Sequence, residues 1–318
     1  MKIDIPDISK QIYKQDVLNV IESGYSIIGP LWTNSQLEWL NNSYKTFKDH
    51  DKFLIVSYLV KQTLDFYSRN FVKLNYENFY SKNFLELEKF NVIEVAKNID
   101  IPKESIRRKL IELEEASVIK RLKTKLIISS SAYKFIKPIK TTINISRILS
   151  VISKLLLDEK ILLKKLDSKK LEKVIKDNFS HVWKIWYELQ IPTIISYKQI
   201  FQDVESFHIF GACVVNQHFH AQKDKRTKTN RLEFISSIFI DDGMFGLSAM
   251  SISDITGIPR STVVRKLKKL VEKNFLSITV KKHYKLTGKL TDRILPIQKK
   301  ILNQLSDFSA KIFNLAIL

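Results

Sequence analysis

An internal repeat constrains the fold of this chain more than any other feature of its sequence. Residues 95–113 and 252–270 align without gaps and share an Ile-Pro pair, an Arg-Lys-Leu triplet and a leucine three residues later. Weaker matches continue in the same order on both sides, from residues 49–53 and 203–207 to the Arg-Ile-Leu runs at 147 and 293. Such self-similarity indicates repeated structural units. We therefore expect two homologous halves, residues 1–158 and 159–318.

Two short helices joined by a tight turn are predicted in each half, at residues 92–116 and 249–273. In the second half, Gly257 suits a turn that needs a positive φ, and Pro259 precedes the first turn of a longer helix. That helix has the three-and-four spacing of one buried stripe, carried by Val263, Leu267, Leu270 and Val271. Its opposite face is polar and basic, so we expect that face to be exposed.

A β-hairpin with a basic tip is predicted after each helix pair. Residues 275–287 alternate like two strands around Lys281 and Lys282, and residues 118–136 do so around Lys123-Thr124-Lys125. A helix fits the major groove of B-DNA, and a basic hairpin beside it reaches the neighbouring backbone or minor groove. The pattern is typical of a winged helix-turn-helix, with a wing at about 118–136 in the first half and about 275–287 in the second.

The expected fold class is mainly α, because seven Gly and seven Pro leave few tight turns in 318 residues. Tandem winged helix-turn-helix modules would be held by long flanking helices at 53–67, 143–157, 207–221 and 291–315. The repeat indicates an internal pseudo-two-fold axis, so that one chain forms a pseudo-dimer. Two tryptophan pairs are expected in the core or between the halves rather than in a ligand cage, namely Trp32 with Trp39 and Trp183 with Trp186.

Residues 255–267, followed by 270–276, resemble winged-helix transcriptional regulators of the MarR and IclR kind. The shared features are a small residue, Ile-Pro, Ser-Thr, an aliphatic residue, Arg and two leucines that lead to a wing. The resemblance implies that the start of the second helix faces bases or phosphates and that the wing contacts the backbone. Those families are usually homodimers of single modules, whereas this chain carries both modules in tandem, so their operator and ligand rules do not transfer directly.

The candidate DNA-binding residues lie on the second helix and the wing of each module. In the second half they are Arg260, Ser261, Thr262, Arg265, Lys268, Lys269, Lys281 and Lys282, and in the first half they are Lys103, Ser105, Arg107, Arg108, Lys123 and Lys125. Four acids oppose the cations of the first module, namely Glu104, Glu112, Glu114 and Glu115. Because carboxylates repel phosphates, we expect the two modules to contribute unequally.

The formal net charge of +20 favours a polyanionic partner, most simply double-stranded DNA. An AT-rich genome would also enrich a chain in Lys, Ile and Asn, so the charge alone does not decide. No apolar run approaches the roughly 20 residues of a membrane span, and the single Cys213 fits a reducing compartment. Asp4 and Pro6 stand where a signal peptide has its apolar stretch. We expect a cytoplasmic, nucleoid-associated protein without a membrane partner.

The sequence has no Gly-rich phosphate loop, metal-spaced Cys/His set or nucleophile elbow, so neither a cofactor nor an enzymatic activity is expected. His218 and His220 would lie about 200° apart on a helix and cannot converge on one metal. The predicted function is sequence-specific regulation of transcription by a monomer with internal pseudo-symmetry, and further dimerisation stays open. The alternatives are a tandem winged-helix replication initiator and a winged-helix scaffold for protein interactions.

Overall fold

The structure is a computed structural model that describes residues 10–87, 90–122, 125–130, 137–223, 228–238 and 246–317. It is mainly helical, with 74% helix and few short strands, which confirms the predicted mainly α class. No described helix combines the length and the apolar character that crossing a lipid bilayer requires. The predicted first wing at 118–136 falls in part on residues 123–124 and 131–136, which lie outside the described residues.

The first segment, residues 10–158, contains seven helices and three strands among its described residues. They are α1 (Lys14–Ser23), α2 (Tyr25–Phe47), α3 (His50–Arg69), α4 (Tyr76–Tyr80), β1 (Phe84–Leu87), α5 (Val92–Ile99), α6 (Lys103–Glu115), β2 (Ile119–Arg121), β3 (Leu126–Ser129) and α7 (Ile139–Asp158).

The second segment, residues 159–317, follows a closely similar order. Its described elements are α8 (Ser168–Asp177), α9 (Phe179–Phe201), α10 (Val204–Lys223), α11 (Arg231–Ile238), α12 (Ala249–Thr256), α13 (Arg260–Glu272), β4 (Leu276–Ile278), β5 (Tyr284–Leu286), a 3-10 turn (Gly288–Leu290) and α14 (Thr291–Ile317).

Helix lengths agree between the two segments at five of the seven helix positions among the described residues. Helices α1 and α8 have 10 residues each, α2 and α9 have 23, α3 and α10 have 20, α5 and α12 have 8, and α6 and α13 have 13. The two 23-residue helices share a tryptophan at their eighth position, Trp32 and Trp186, whereas their prolines, Pro30 and Pro192, stand at different positions. The similarity therefore extends into residues 14–47 and 168–201, where the sequences alone are hard to align.

Two small antiparallel sheets follow the helix pairs α5–α6 and α12–α13. The first has the strand order β1-β3-β2, and Ile128 of β3 pairs with both Leu85 and Ile119. The second joins β4 to β5 with Leu276 opposite Leu286, and Leu247 forms an isolated bridge to Tyr284. The predicted alternation at 275–287 thus corresponds to a two-stranded hairpin.

Long helices of the two segments pack against each other in a reciprocal way. Helix α3 packs on α9, and α10 packs on α2. At the periphery, α1 packs on α14, and α8 packs on α7. All four tryptophans are buried, and the Trp32 and Trp186 rings meet edge to face across the segments at a centroid distance of 6.1 Å. The predicted core position of the tryptophans is confirmed, and the buried residues of both segments form one hydrophobic core.

We expect Gly257→Ala to lower the free energy of unfolding by about 1–2 kcal/mol, because the left-handed conformation brings the Cβ of an L-residue too close to the backbone. Gly257 has φ 68°, and an added Cβ would meet no atom within 4 Å, so the backbone alone sets the cost. Gly288→Ala is the matched control, since its Cβ also meets nothing and its φ is ordinary. Chemical denaturation that shows equal changes for both variants would contradict this account.

Candidate nucleic-acid interface

The turns that join the two helix pairs have the same construction. Each begins with a left-handed residue, Asp100 at φ 53° and Gly257 at φ 68°. A buried isoleucine follows, and then a proline, Pro102 or Pro259, that stands at the N-cap of α6 or α13. The predicted positive φ of Gly257 is confirmed. Asp100 shows that the first segment makes the same turn without glycine, which aspartate tolerates better than most residues.

Helix α13 exposes a strongly basic face. Its buried stripe is Val263, Leu267 and Leu270, as predicted, whereas Val271 is only half-buried. The exposed side chains include Arg260, Ser261, Arg265, Lys268 and Lys269, and Thr262 is half-buried at the edge of this face. None of the four cations forms an ion pair with a described residue. The helix has five basic residues and one acid, a net charge of +4.

The β4–β5 hairpin adds two further cations beside this helix. Lys281 and Lys282 are exposed at its tip and form no ion pair with any residue that the structure describes. A tight turn presents them, because the Lys282 N–H donates to the Thr279 carbonyl at 2.8 Å and Lys282 has φ 57°. The cations of the hairpin and of α13 can therefore bind an anion without first breaking an ion pair with a described residue.

Helix α6 differs from α13 in its charge. It has four basic and four acidic residues, a net charge of zero. Arg107 pairs with Glu104 at 2.8 Å, and Arg108 lies 3.7 Å from Glu112. Beside the helix, Arg121 pairs with Glu114, and Lys125 pairs with Glu86.

Three candidates of the first segment remain outside these pairs. Lys103 is exposed without an ion pair among the described residues, Ser105 is half-buried, and Lys123 lies outside the described residues. A phosphate that approaches α6 must therefore compete with carboxylates for its arginines. The unequal contribution of the two modules to DNA binding stays a prediction.

The lysine of each Arg-Lys-Leu triplet is buried and pairs with an aspartate that is distant in the sequence. Lys109 and Lys266 are only 7% and 8% exposed. Lys266 Nζ lies 2.5 Å from Asp203 Oδ2, and Lys109 forms the equivalent ion pair with Asp49. Neither lysine is among the predicted DNA-binding residues. The structure instead assigns them to anchoring α6 on α3 and α13 on α10.

The two aspartates also cap the helices on which they stand. Asp49 Oδ1 accepts the N–H groups of Asp51 and Lys52 at 2.9 and 3.1 Å at the start of α3. Asp203 Oδ1 accepts the Ser206 N–H at 2.7 Å at the start of α10. Burial alone would raise the pKa of both carboxyls, but the lysine and the helix N–H groups outweigh it and hold each pKa below its ordinary value.

A buried pair of histidines connects the starts of α3 and α10. His50 Nε2 and His208 Nδ1 lie 3.1 Å apart. The chain of hydrogen bonds continues from His50 Nδ1 to Ser43 Oγ at 3.0 Å and from His208 Nε2 to Asn41 Oδ1 at 2.6 Å. Burial lowers the pKa of His50 to about 4 and holds the pKa of His208 well below its ordinary value, so both rings are neutral at pH 7. Sequence reasoning did not find this pair, because its members are 158 residues apart.

Comparison with known proteins gives no match, since no protein-family model, curated protein or solved structure resembles the chain significantly. The described residues contain no group of three or more His, Cys, Asp and Glu side chains that could hold a metal ion. The resemblance of residues 255–276 to winged-helix regulators therefore stays a prediction from the sequence. The basic surface of α13 and the β4–β5 hairpin, unpaired among the described residues, is the part of this interface that can bind an anion.

We expect Lys266→Met to lower the free energy of unfolding by about 2 kcal/mol, because it leaves Asp203 partly buried without its partner. This value lies below that for a fully buried pair, since the Asp203 side chain is 32% exposed. Lys268→Met is the control and should change stability by less than about 0.5 kcal/mol. Urea denaturation tests both, and the double variant Asp203→Asn with Lys266→Met should recover part of the loss. A loss as large for Lys268→Met would refute the anchoring role.

Acidification should destabilise the protein between about pH 6.5 and pH 4. His50 has a folded pKa of about 4, whereas an unfolded histidine has about 6.5. Below pH 6.5 the unfolded chain takes up a proton that the folded chain excludes, so the loss grows as the pH falls and approaches about 3 kcal/mol at pH 4. His208 acts in the same direction. Denaturation at successive pH values should show a flatter slope for His50→Gln, and an unchanged slope would contradict this interpretation.

Proposed function

We propose that this chain is a sequence-specific double-stranded DNA-binding protein that regulates transcription through two winged helix-turn-helix modules. One observation carries the proposal. Helix α13 and the adjoining hairpin expose six cations that form no ion pair with a described residue, namely Arg260, Arg265, Lys268, Lys269, Lys281 and Lys282. Phosphate contacts supply most of the affinity of such proteins, and base contacts supply the specificity.

The dimensions of α13 support insertion into the major groove. An α-helix is about 10–12 Å across with its side chains, which fits the roughly 12 Å width of the major groove of B-DNA. The thirteen residues of α13 make it about 20 Å long. Ser261 and Arg265 are exposed one helical turn apart at the start of α13. Arginine recognises guanine O6 and N7 with two hydrogen bonds, and serine accepts or donates to either kind of base pair.

The two modules would contribute unequally to DNA binding. The second module, at 249–287, would make most of the DNA contacts because its cations are unpaired among the described residues. The first module, at 92–136, contributes through Lys103 and through arginines that must exchange Glu104 and Glu112 for phosphate. An imperfect palindrome or an asymmetric site is the sequence that two such different helices would recognise.

The matching helix lengths and the reciprocal packing support an internal duplication with a pseudo-two-fold arrangement. When α2 packs on α10 and α9 packs on α3, each long helix contacts the other segment. Symmetric dimers show the same reciprocal contacts between two chains. A single chain would in this way hold two recognition helices at a fixed separation. Successive major grooves on one face of B-DNA are about 34–36 Å apart, and the two helices would need this separation to enter them together.

A matched pair of arginine variants tests the proposal. Arg265 and Arg108 occupy equivalent positions in the sequence repeat, and both are exposed. DNA sites are first selected from random duplexes by the wild-type protein, and affinities are then measured by fluorescence anisotropy. We expect Arg265→Ala to weaken binding by about 10-fold or more, the usual cost of losing a specific base contact. Arg108→Ala should weaken it by less than about 3-fold, because Glu112 already competes for that guanidinium.

Two outcomes would contradict the proposal at different levels. The proposal of DNA binding itself would be refuted if selection enriches no sequence and no duplex affinity is measurable near physiological salt. Non-specific binders already reach a Kd of about 10⁻⁴–10⁻⁶ M under those conditions. Equal losses for Arg265→Ala and Arg108→Ala would keep DNA binding but refute the unequal roles. Unchanged helical circular dichroism in both variants is the control for folding.

A further inference from the structure

A small cavity lies between α2, α10 and α14, with Tyr197 of α9 at its wall. Its volume is about 80 Å³. Most of the wall is aromatic or aliphatic, and the Tyr197 and Phe207 rings stack there at a centroid distance of 4.3 Å. No Asp, Glu, Lys or Arg is among the described residues that line it. An ion that entered would lose its hydration without gaining a charged partner, so the cavity favours a neutral occupant.

Three polar side chains of the cavity wall lack hydrogen-bond partners among the described residues. They are Gln36, with both of its amide atoms unpartnered, His218 at Nδ1 and Gln298 at Oε1. Gln36 is only 8% exposed and His218 only 6%. More than nine in ten buried polar groups in proteins are hydrogen-bonded, so three exceptions around one cavity call for a common explanation.

The three groups define the chemistry that would satisfy them. Gln36 offers a donor and an acceptor side by side, and Gln298 offers an acceptor. Burial lowers the pKa of His218 to about 4, so its ring is neutral at pH 7 and offers either a donor or an acceptor at Nδ1, according to its tautomer. A carboxamide carries the complementary donor and acceptor in one planar group.

Size limits the occupant further. A cavity of about 150 Å³ holds benzene, whereas one water takes about 30 Å³ of the liquid. At about 80 Å³ this cavity is about half the size of one that holds benzene, so it favours an occupant of a few non-hydrogen atoms over a six-membered ring.

We propose that the cavity formed by Gln36, His218 and Gln298 between α2, α10 and α14 is a binding site for a small neutral carboxamide or urea. The amide edge of the ligand pairs with Gln36, and its remaining atoms lie against the aromatic wall. This inference is independent of the proposed DNA binding, because it rests on the cavity alone.

The position of the site provides a readout in the protein. Gln217, the neighbour of His218 in α10, accepts the Leu286 N–H of β5 through its Oε1 at 2.5 Å. A ligand that moves His218 shifts this contact. The amide signal of Leu286 should therefore change when the cavity fills, whereas that of Ile128 in the other sheet should not.

Saturation-transfer NMR with acetamide tests the proposal, and acetate is the isosteric charged probe. Four heavy atoms limit the Kd to about 40 µM at the tightest, so the probe is used at about 10 mM. Wild-type protein should transfer saturation to the acetamide methyl and not to acetate. Gln36→Leu should reduce the transfer at least about 5-fold, since it removes the paired hydrogen bonds. Gln190→Leu is the matched control, because Gln190 is also buried with both amide atoms unpartnered but does not line the cavity.

Gly211→Ala provides a second variant that keeps the fold. Gly211 lines the cavity in α10, and the only heavy atom near an added Cβ is Leu37 Cδ1 at 4.0 Å. The methyl group should therefore occupy cavity space without strain, weaken acetamide transfer and raise Tm, since alanine favours a helix over glycine. Equal transfer to acetamide and acetate, or equal acetamide transfer in wild type and Gln36→Leu, would overturn the proposal. So would a crystal grown with acetamide in which only ordered water fills the cavity.

Discussion

Reciprocal packing of the long helices is the constraint on which the rest of the structure depends. Helix α3 buries one face against α9, and α10 buries one against α2, so the core of neither segment is closed by its own helices. The Trp32–Trp186 contact lies within this shared core. Removing such aromatic and aliphatic surface from water is the main driving force for folding. The two segments are therefore expected to fold as one cooperative unit rather than as separable domains.

The polar groups at the centre position the two basic helices relative to that core. Asp49 and Asp203 begin α3 and α10, and each holds a buried lysine from the middle of α6 or α13. The neutral His50–His208 pair joins the same two helix starts. A buried ion pair adds little net stability but is costly to break, so these contacts fix geometry more than they stabilise the protein. The two similarly anchored helices differ in surface charge, because the cations of α13 are unpaired among the described residues and the arginines of α6 pair with glutamates.

Local features of the sequence predicted the local structure. The three-and-four spacing of apolar residues and the Gly257 and Pro259 positions located α12, α13 and their turn, because these signals act within a few residues. Long-range contacts were not accessible in the same way. Lys109 and Asp49 are 60 residues apart, so the helical spacing that places Lys109 beside Ile106 and Leu113 does not identify its partner. The matching aspartates at 49 and 203 and the matching lysines at 109 and 266 were visible in the repeat, but their contact was not. The cavity at Gln36 depends on three helices and had no sequence signal at all.

The fixed separation of α6 and α13 is the central claim of this account, and a distance between them tests it most directly. Spin labels at Glu104→Cys and Ser261→Cys, equivalent positions on the two helices, can be measured by double electron–electron resonance in a Cys213→Ala background. We predict one narrow distance distribution near 34 Å, the spacing of successive major grooves on one face of DNA, already present without DNA. A broad distribution, or a narrow one far from this spacing, would contradict the claim that one shared core presents both helices to the same duplex.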